Sequence, residues 1–420
     1  MINTNVGYGY NDLCLVPRQV SDIKSRSECV PFYSNKKLPI FASPMSAVVN
    51  VENYKLWEKN NIIPILPRNI DYNTRYDYLR QGKWVALSLT EFEDIFIKND
   101  DFFEEVNIIP HVLIDVANGH MKHLIDMCKQ VKHCWGDNIV LMAGNIANPQ
   151  TYHEYCEAGI DYVRCSIGSG SCCTTASNTS VHYPIASLID KINIIKSNKI
   201  TNNQFTTKVI ADGGIRNFSD VIKALALGAD YVMIGGLFNS ILESAGEFVS
   251  GDNMVMNDTS EYDICKSDND LTNKLLIKGA FVMKPLTDKF AEYFDNCEGV
   301  DVMTYTSESC RQYYYAFDIY NDNLPEQVKR ILLTYNLKKE IFGMSTKKAQ
   351  CLIKSDCELK TAEGISKIVD VKYTMAQWVE NMIDYLKSAM SYCGSRTLMD
   401  FIGKQELIVQ SSSEIFAVNK

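Results

Sequence analysis

Eight short apolar runs, each followed by a turn or an amphipathic stretch, constrain this chain more than any other feature of its sequence. They are LPIFAS (38–43), NIIPILPR (61–68), WVALSL (84–89), HVLIDVA (111–117), NIVLMAGN (138–145), DYVRCSIG (161–168), KVIADGG (208–214) and DYVMIGG (230–236). Each is apolar almost throughout rather than alternating, the pattern of a strand buried on both faces in a parallel sheet. Helix-like segments lie at 120–134, 148–158, 183–195, 217–227 and 237–247; Asn217 reads as an N-cap and Gly228 as a helix stop. Eight such units in succession predict an α/β fold, a (β/α)8 barrel. An open doubly wound sheet is the alternative, but it does not require eight evenly spaced units. In a barrel the C-terminal strand ends build the active site, and several runs here end in Gly, Asn, Asp or Ser.

The expected organisation is a barrel over 1–248, a long insertion after the last barrel strand over 249–340, and a flap with a C-terminal helical segment over 341–420 that completes the site. The insertion opens with the polar, loop-like stretch 251–273. The stretch EQVKRILLTYNLKKEIF (326–342) reads as helix, and TMAQWVENMIDYLKSAMSYCG (374–394) as another. Tyr313–Tyr315 suggests that the insertion folds. With 46% hydrophobic and 22% charged residues in 420, the chain can bury a full core without staples. A net charge of −9, from 42 basic against 51 acidic residues, argues against nucleic acid as a partner. No run of 18 apolar residues predicts a membrane span, and the N-terminus has no signal-like pattern. Fourteen cysteines without disulfide or zinc spacing fit a reducing, cytoplasmic setting.

The densest chemical signal is IGSGSCCTT (167–175). Gly168 and Gly170 permit a tight turn after a strand, and Cys173 stands at its end, followed by two hydroxyl residues. Its thiolate is a candidate nucleophile; the alternative is a glycine-rich turn with two buried cysteines. ADGG (211–214) and IGG (234–236) both end strands and precede helices, where backbone amides hold phosphate without a lysine, and Asp212 suits ribose hydroxyls. His120 and His123 stand at a spacing that can hold metal, but without a carboxylate or cysteine partner they read as a solvated helix face.

NDLCLVP (11–17) with SRSE (25–28), DVANGH (115–120), MAGN (142–145), GSGSCCTT, ADGG and GADYVMIGG resemble, in order and spacing, the IMP dehydrogenase/GMP reductase family. The likeness runs over about 8–248 and again over 342–400. DVANGH and MAGN are similar to the reductase side of the family. The resemblance implies that Cys173 adds to C2 of a purine nucleotide monophosphate, GMP; ammonia leaves, NADPH delivers hydride, and IMP is released. Thr175 and Glu363 match the proton-transfer pair. Ser171, Asp212, Gly213, Gly214, Gly235 and Gly236 match ribose and phosphate contacts; Met344, Ser345, Lys360 and Gly364 match positions at the base. Asp115, Val116 and Ala117, with Arg68 where reductases have Lys, match the cofactor side. Ser25, Arg26, Ser388 and Ser391 match cofactor contacts completed across subunits, which implies a homotetramer. The carbonyls of Gly168, Gly170 and Cys173 match a monovalent-cation site, suited to K⁺.

Dehydrogenases of the family carry an Arg–Tyr pair in the flap that activates water. Here the nineteen residues between Gly343 and Glu363 contain neither. Other departures gather where the substrate is expected. Ala176 stands where the family has Arg, His182 replaces a Gly and is expected to pack, Lys360 and Ala362 replace Arg and Ser, and Ser46 replaces an acid. They leave three other readings open: a dehydrogenase without a regulatory module, a reductase of a deoxy or modified purine nucleotide, or a nucleotide binder without turnover.

Overall fold

The computed structural model describes residues 6–98, 108–250, 254–255, 274–277, 280–283, 297–307, 310–342, 346 and 364–411. A short strand, β1 (Leu13–Leu15), pairs antiparallel with Leu407–Val409 near the other end of the chain. Eight parallel strands follow: β2 (Ile40–Ala42), β3 (Ile63–Pro64), β4 (Trp84–Leu87), β5 (His111–Asp115), β6 (Val140–Ile146), β7 (Tyr162–Cys165), β8 (Lys208–Asp212) and β9 (Tyr231–Ile234). One strand falls in each apolar run. They pair in the order β3-β2-β9-β8-β7-β6-β5-β4, and a Leu66–Val85 bridge closes the ring into a (β/α)8 barrel.

The barrel's two ends differ because the strands begin and finish differently. Trp84, Tyr162 and Tyr231 open their strands and pack with Phe41 into an aromatic plug, Phe41 meeting Trp84 edge-on at 5.5 Å. The opposite end carries Asp115, Asp212 and the glycines that follow β8 and β9, too small and too polar to close it.

Helices α1 (Tyr54–Lys59), α2 (Tyr72–Arg80), α3 (Leu89–Glu93), α4 (Lys122–Trp135), α5 (Thr151–Glu157), α6 (Thr175–Thr179), α7 (Ile185–Thr201) and α8 (Phe218–Leu227) alternate with the strands. Asn217 caps α8 through the Asp220 amide, and Gly228 ends it at φ +117°. The helix expected over 237–247 does not form. A single 3-10 turn, Gly236–Ser240, is followed by β10 (Glu247–Ser250).

Beyond β10 lies a five-stranded sheet of β11 (Met254–Val255), β12 (Lys274–Ile277), β13 (Ala280–Met283), β14 (Val300–Ser307) and β15 (Cys310–Phe317), ordered β11-β13-β12-β15-β14. Tyr313–Tyr315 lies on β15; its side chains fall outside the described residues. The expected long helix over 326–342 is split into α9 (Glu326–Leu333) and a strand, β16 (Lys338–Phe342). Asn336, at φ +49°, breaks the helix between them. β16 pairs with both β10 and β17 (Ser366–Asp370).

The chain then returns to the barrel. Thr374 caps α10 (Met375–Tyr392) through a capping box with Gln377. Trp378 packs on Phe238 at 4.7 Å and on Phe218 at 5.2 Å, and Asn60, just past α1, donates to Met375 Sδ at 3.4 Å. α10 therefore occupies the eighth place in the helical ring, between α8 and α1, which the missing 237–247 helix leaves open.

A buried polar hub ties these segments together. Lys339 of β16 donates to the carbonyls of Ile241 (3.1 Å), Leu242 (2.7 Å) and Ser244 (2.6 Å). Glu243 pairs with Lys329 of α9 at 3.0 Å and accepts the Met375 amide at 2.8 Å. No helix among the described residues is long and apolar enough to cross a membrane.

Candidate active site

The C-terminal ends of the barrel strands enclose a cavity of about 350 Å³. Of the residues singled out from sequence, Arg68, Asp115, Val116, Ala117, Gly170, Ser171, Cys173, Asp212, Gly213, Gly214, Gly235 and Gly236 line it. The turn after β7 presents Cys173, whose Sγ donates to Thr175 Oγ1 at 3.3 Å. The backbone of the turn is held by the Cys173 amide on Gly170 O at 3.0 Å. Gly168 sits at φ +78°, and a Cβ there would strike the Ala176 methyl. Small residues at both positions are thus a steric condition of this turn. Cys172 points away, buried with Ala47 and Ile341, and burial pushes its thiol up.

Three glycine-bearing loops meet to form the cradle. Gly213, at φ +92°, lies so close to the turn that a Cβ would come within 3.1 Å of the Gly170 amide nitrogen, and one on Gly236 would come within 2.6 Å of Ser171 Oγ. Gly235 would meet Met45 Sδ at 2.6 Å. The backbones approach this closely because no side chain separates them, leaving amides for an anion.

Beneath the cradle is a residue that the sequence reading missed. Arg164, 8% exposed, donates through Nε to Asp212 Oδ2 at 2.9 Å and through Nη1 to Asp115 Oδ1 at 2.6 Å. Asn145 adds a hydrogen bond to the same Asp212 oxygen at 2.7 Å. Burial disfavours the guanidinium charge, but Asp212 and Asp115 outweigh it and raise the pKa above its ordinary value. Asp212 Oδ2 thus accepts from both Arg164 and Asn145. The available signal was a single charged residue inside a run otherwise suited to a buried strand. Ser43 and Met45, also unflagged, complete the wall across from the turn.

Gly364 makes an antiparallel bridge with Cys173, and the Ile365 amide donates to Cys172 O at 3.0 Å. Glu363, Met344, Ser345 and Lys360, with Ala362, lie outside the described residues. Ser25, Arg26, Ser388 and Ser391 gather elsewhere, on the flank of α10, where Arg26 donates to Ser388 Oγ at 3.3 Å and pairs with Asp384 at 3.2 Å. None of these four lines the cavity.

Two histidines differ from expectation. His120 is not part of a solvated helix face. It precedes α4, accepts the Ala147 amide at Nε2 (3.0 Å), and so carries its proton on Nδ1, which donates to Thr151 Oγ1 (2.9 Å). Burial lowers its pKa and keeps it neutral, pinning the loop after β6. His182 does not pack inward. It is exposed, with Nδ1 2.8 Å from the Ile167 carbonyl of the turn that carries Cys173.

The IMP dehydrogenase / GMP reductase domain model matches residues 7–258. The GMP reductase of Staphylococcus aureus is 31% identical over 256 residues, covering 58% of this chain and 75% of that protein. The GMP reductase of Buchnera aphidicola is 29% identical over 262 residues, covering 59% and 73%. That of Lactobacillus delbrueckii is 29% identical over 256 residues, covering 58% and 74%. With a closed eight-stranded barrel, a cysteine turn and a three-loop glycine cradle at the strand ends, the chain belongs to the IMP dehydrogenase / GMP reductase family of oxidoreductases.

Proposed function

We propose that this protein reduces GMP to IMP and ammonia with NADPH, through a covalent bond between Cys173 and the purine C2. The observation that carries the reading is the Cys173 thiol in the mouth of the barrel, hydrogen-bonded to Thr175 and set above a glycine cradle of the size and polarity of a nucleotide phosphate site. Cys173 Sγ adds to C2, giving a tetrahedral adduct. The exocyclic amine takes a proton and leaves as ammonia, so that a thioimidate remains. Thr175, at hydrogen-bond distance from the sulfur, relays the proton with Glu363, whose neighbour in sequence, Gly364, is bridged to Cys173. NADPH, when bound, supplies the hydride that C2 accepts as the carbon–sulfur bond breaks and the thiolate leaves.

The residues present fit that cofactor. Val116 and Ala117 offer an apolar wall beside Asp115, and Arg68 donates to the Asp115 carbonyl at 3.3 Å while its Nε is buried without a partner. Such an orphaned donor suits a polar group of the cofactor. Ser25, Arg26, Ser388 and Ser391, clustered off the cavity, suit contacts to the cofactor of a neighbouring subunit in a homotetramer.

A monovalent cation fits less well. Gly170 O already accepts the Cys173 amide, and the other face of the turn meets Arg216 and Lys367.

The dehydrogenase reading lacks a flap Arg–Tyr pair to activate water. A binder without turnover has no use for a thiol held against Thr175. Incubation with GMP and NADPH, following absorbance and ammonia, tests the proposal; XMP formed from IMP with NAD, or no turnover at all, overturns it. Faster turnover of dGMP would move the substrate assignment to the deoxynucleotide.

A further inference from the structure

The Gly168–Ser171 turn has two faces. One lines the cavity already described, and the other lines a second cavity of about 640 Å³. Gly170, Ser171 and Gly214 border both, so the two meet at the end of the cradle read above as the site of the 5′-phosphate.

The walls of the second cavity are cationic. Arg216 and Lys367 are exposed, and neither makes an ion pair with a described residue. His182 stands beside them, its Nδ1 engaged by Ile167 O and its Nε2 left over. Asp12 is the one carboxylate among the described lining residues, and its Oδ2 already accepts the Gly9 amide at 2.7 Å. The seventeen-residue helix α7 begins at this cavity with Ile185; Pro184 gives it no side-chain cap, and the Tyr8 carbonyl takes the Ser187 amide of its first turn at 3.2 Å.

Two hydroxyls of lining residues are unpaired. The Tyr10 hydroxyl and Ser169 Oγ, both from lining residues, are buried without a hydrogen-bond partner, and Tyr10 is only 3% exposed. The buried Asp220 carboxylate, its Oδ1 also unpaired, acts on the Tyr10 hydroxyl, so Ser169 Oγ, on the turn itself, is the hydroxyl left for an anionic oxygen.

We propose that this chamber is a phosphoanion subsite continuous with the cradle, and that the protein binds a purine nucleoside diphosphate or triphosphate with its terminal phosphates between Arg216 and Lys367. The proposal rests on reading the first cavity as a nucleotide site. The shared residues favour a nucleotide that extends through the cradle over a separate anion. Guanidinium and ammonium groups are strong phosphate donors.

Calorimetric titration of the full-length protein with GMP, GDP and inorganic pyrophosphate tests this, beside the double variant R216Q/K367Q. Both substituted residues are exposed, and a circular-dichroism melt checks that the variant folds. GDP is expected to bind the unsubstituted protein about tenfold more tightly than GMP, a gain of the order of one charge-assisted contact. The variant should lose that gain with GMP affinity unchanged. Equal or weaker binding of GDP, or a gain that survives in R216Q/K367Q, overturns the proposal. So does pyrophosphate that binds undiminished to protein saturated with GMP, which would mark a separate effector anion. If GMP fails to bind while pyrophosphate still binds in a manner dependent on Arg216 and Lys367, the reading of the first cavity fails and the anion subsite stands.

Discussion

Gly364 pairs with Cys173 through an antiparallel backbone bridge, although the whole of the insertion and the flap separates them in sequence. The chain just before β17 is thereby stitched to the turn that carries Cys173. Glu363 immediately precedes Gly364 in the sequence. Glu363→Gln is expected to lower kcat by about 10²–10⁴-fold while nucleotide affinity is retained, as for loss of a proton-transfer group. Steady-state rates beside a thermal-shift titration measure both, and unchanged kcat removes Glu363 from the mechanism.

Cys173→Ala leaves the glycine cradle intact. Turnover should fall to background while GMP still stabilises the protein against heat. Intact-mass spectra during turnover should reveal an adduct on the unsubstituted protein and none on the variant.

Arg164 holds Asp115 and Asp212 in place. Arg164→Met leaves two carboxylates facing each other in a buried site, and a cost of roughly 3–5 kcal/mol is expected from stranding a buried charge. Arg164→Lys supplies one point charge where a fork spans two acids, and should recover only part of the stability. Urea midpoints of the three proteins decide the matter; a Met variant as stable as the parent would show that the network contributes nothing.

Gly168→Ala places a methyl in the left-handed region and against Ala176. The expected loss is roughly 1–3 kcal/mol of stability, with a disproportionate fall in kcat because the turn that moves carries Cys173. Melting temperature and kcat measured together test this.

Burial pushes the Lys339 ammonium down to about 7, with Glu243 opposing the shift. The folded pKa lies below that of the unfolded chain, so above about pH 7 the unfolded chain binds the additional proton. This group therefore makes stability rise with pH from about 7 toward the ordinary lysine range, and contributes no slope below it. Lys339→Met should abolish that rise. Denaturation midpoints at several pH values, compared between the two proteins, are the measurement.

The residues legible in sequence were those whose role depends on near neighbours. Each of the eight apolar runs holds a barrel strand, because burial on both faces leaves a continuous hydrophobic signature. Asn217 and Gly228 bound α8 as capping chemistry requires. The cradle glycines were legible since only glycine permits loops to approach so closely. The 237–247 segment, helical by its composition, became a turn and a strand because Glu243 and the carbonyls around it were drawn into the hub with Lys329 and Lys339. The helix that replaced it in the ring, α10, comes from far along the chain.

The sequence by itself determined a closed parallel barrel with a cysteine turn and glycine-bearing loops at one rim, because period, propensity and backbone freedom are properties of adjacent residues. Tertiary structure alone decided that Arg164 joins Asp115 to Asp212, that Gly364 reaches Cys173, and that Arg216 and Lys367 share a chamber with two unpaired hydroxyls. Coulomb attraction and hydrogen bonding act through space over a few ångströms, and only closure of the ring and return of the flap bring those partners within range.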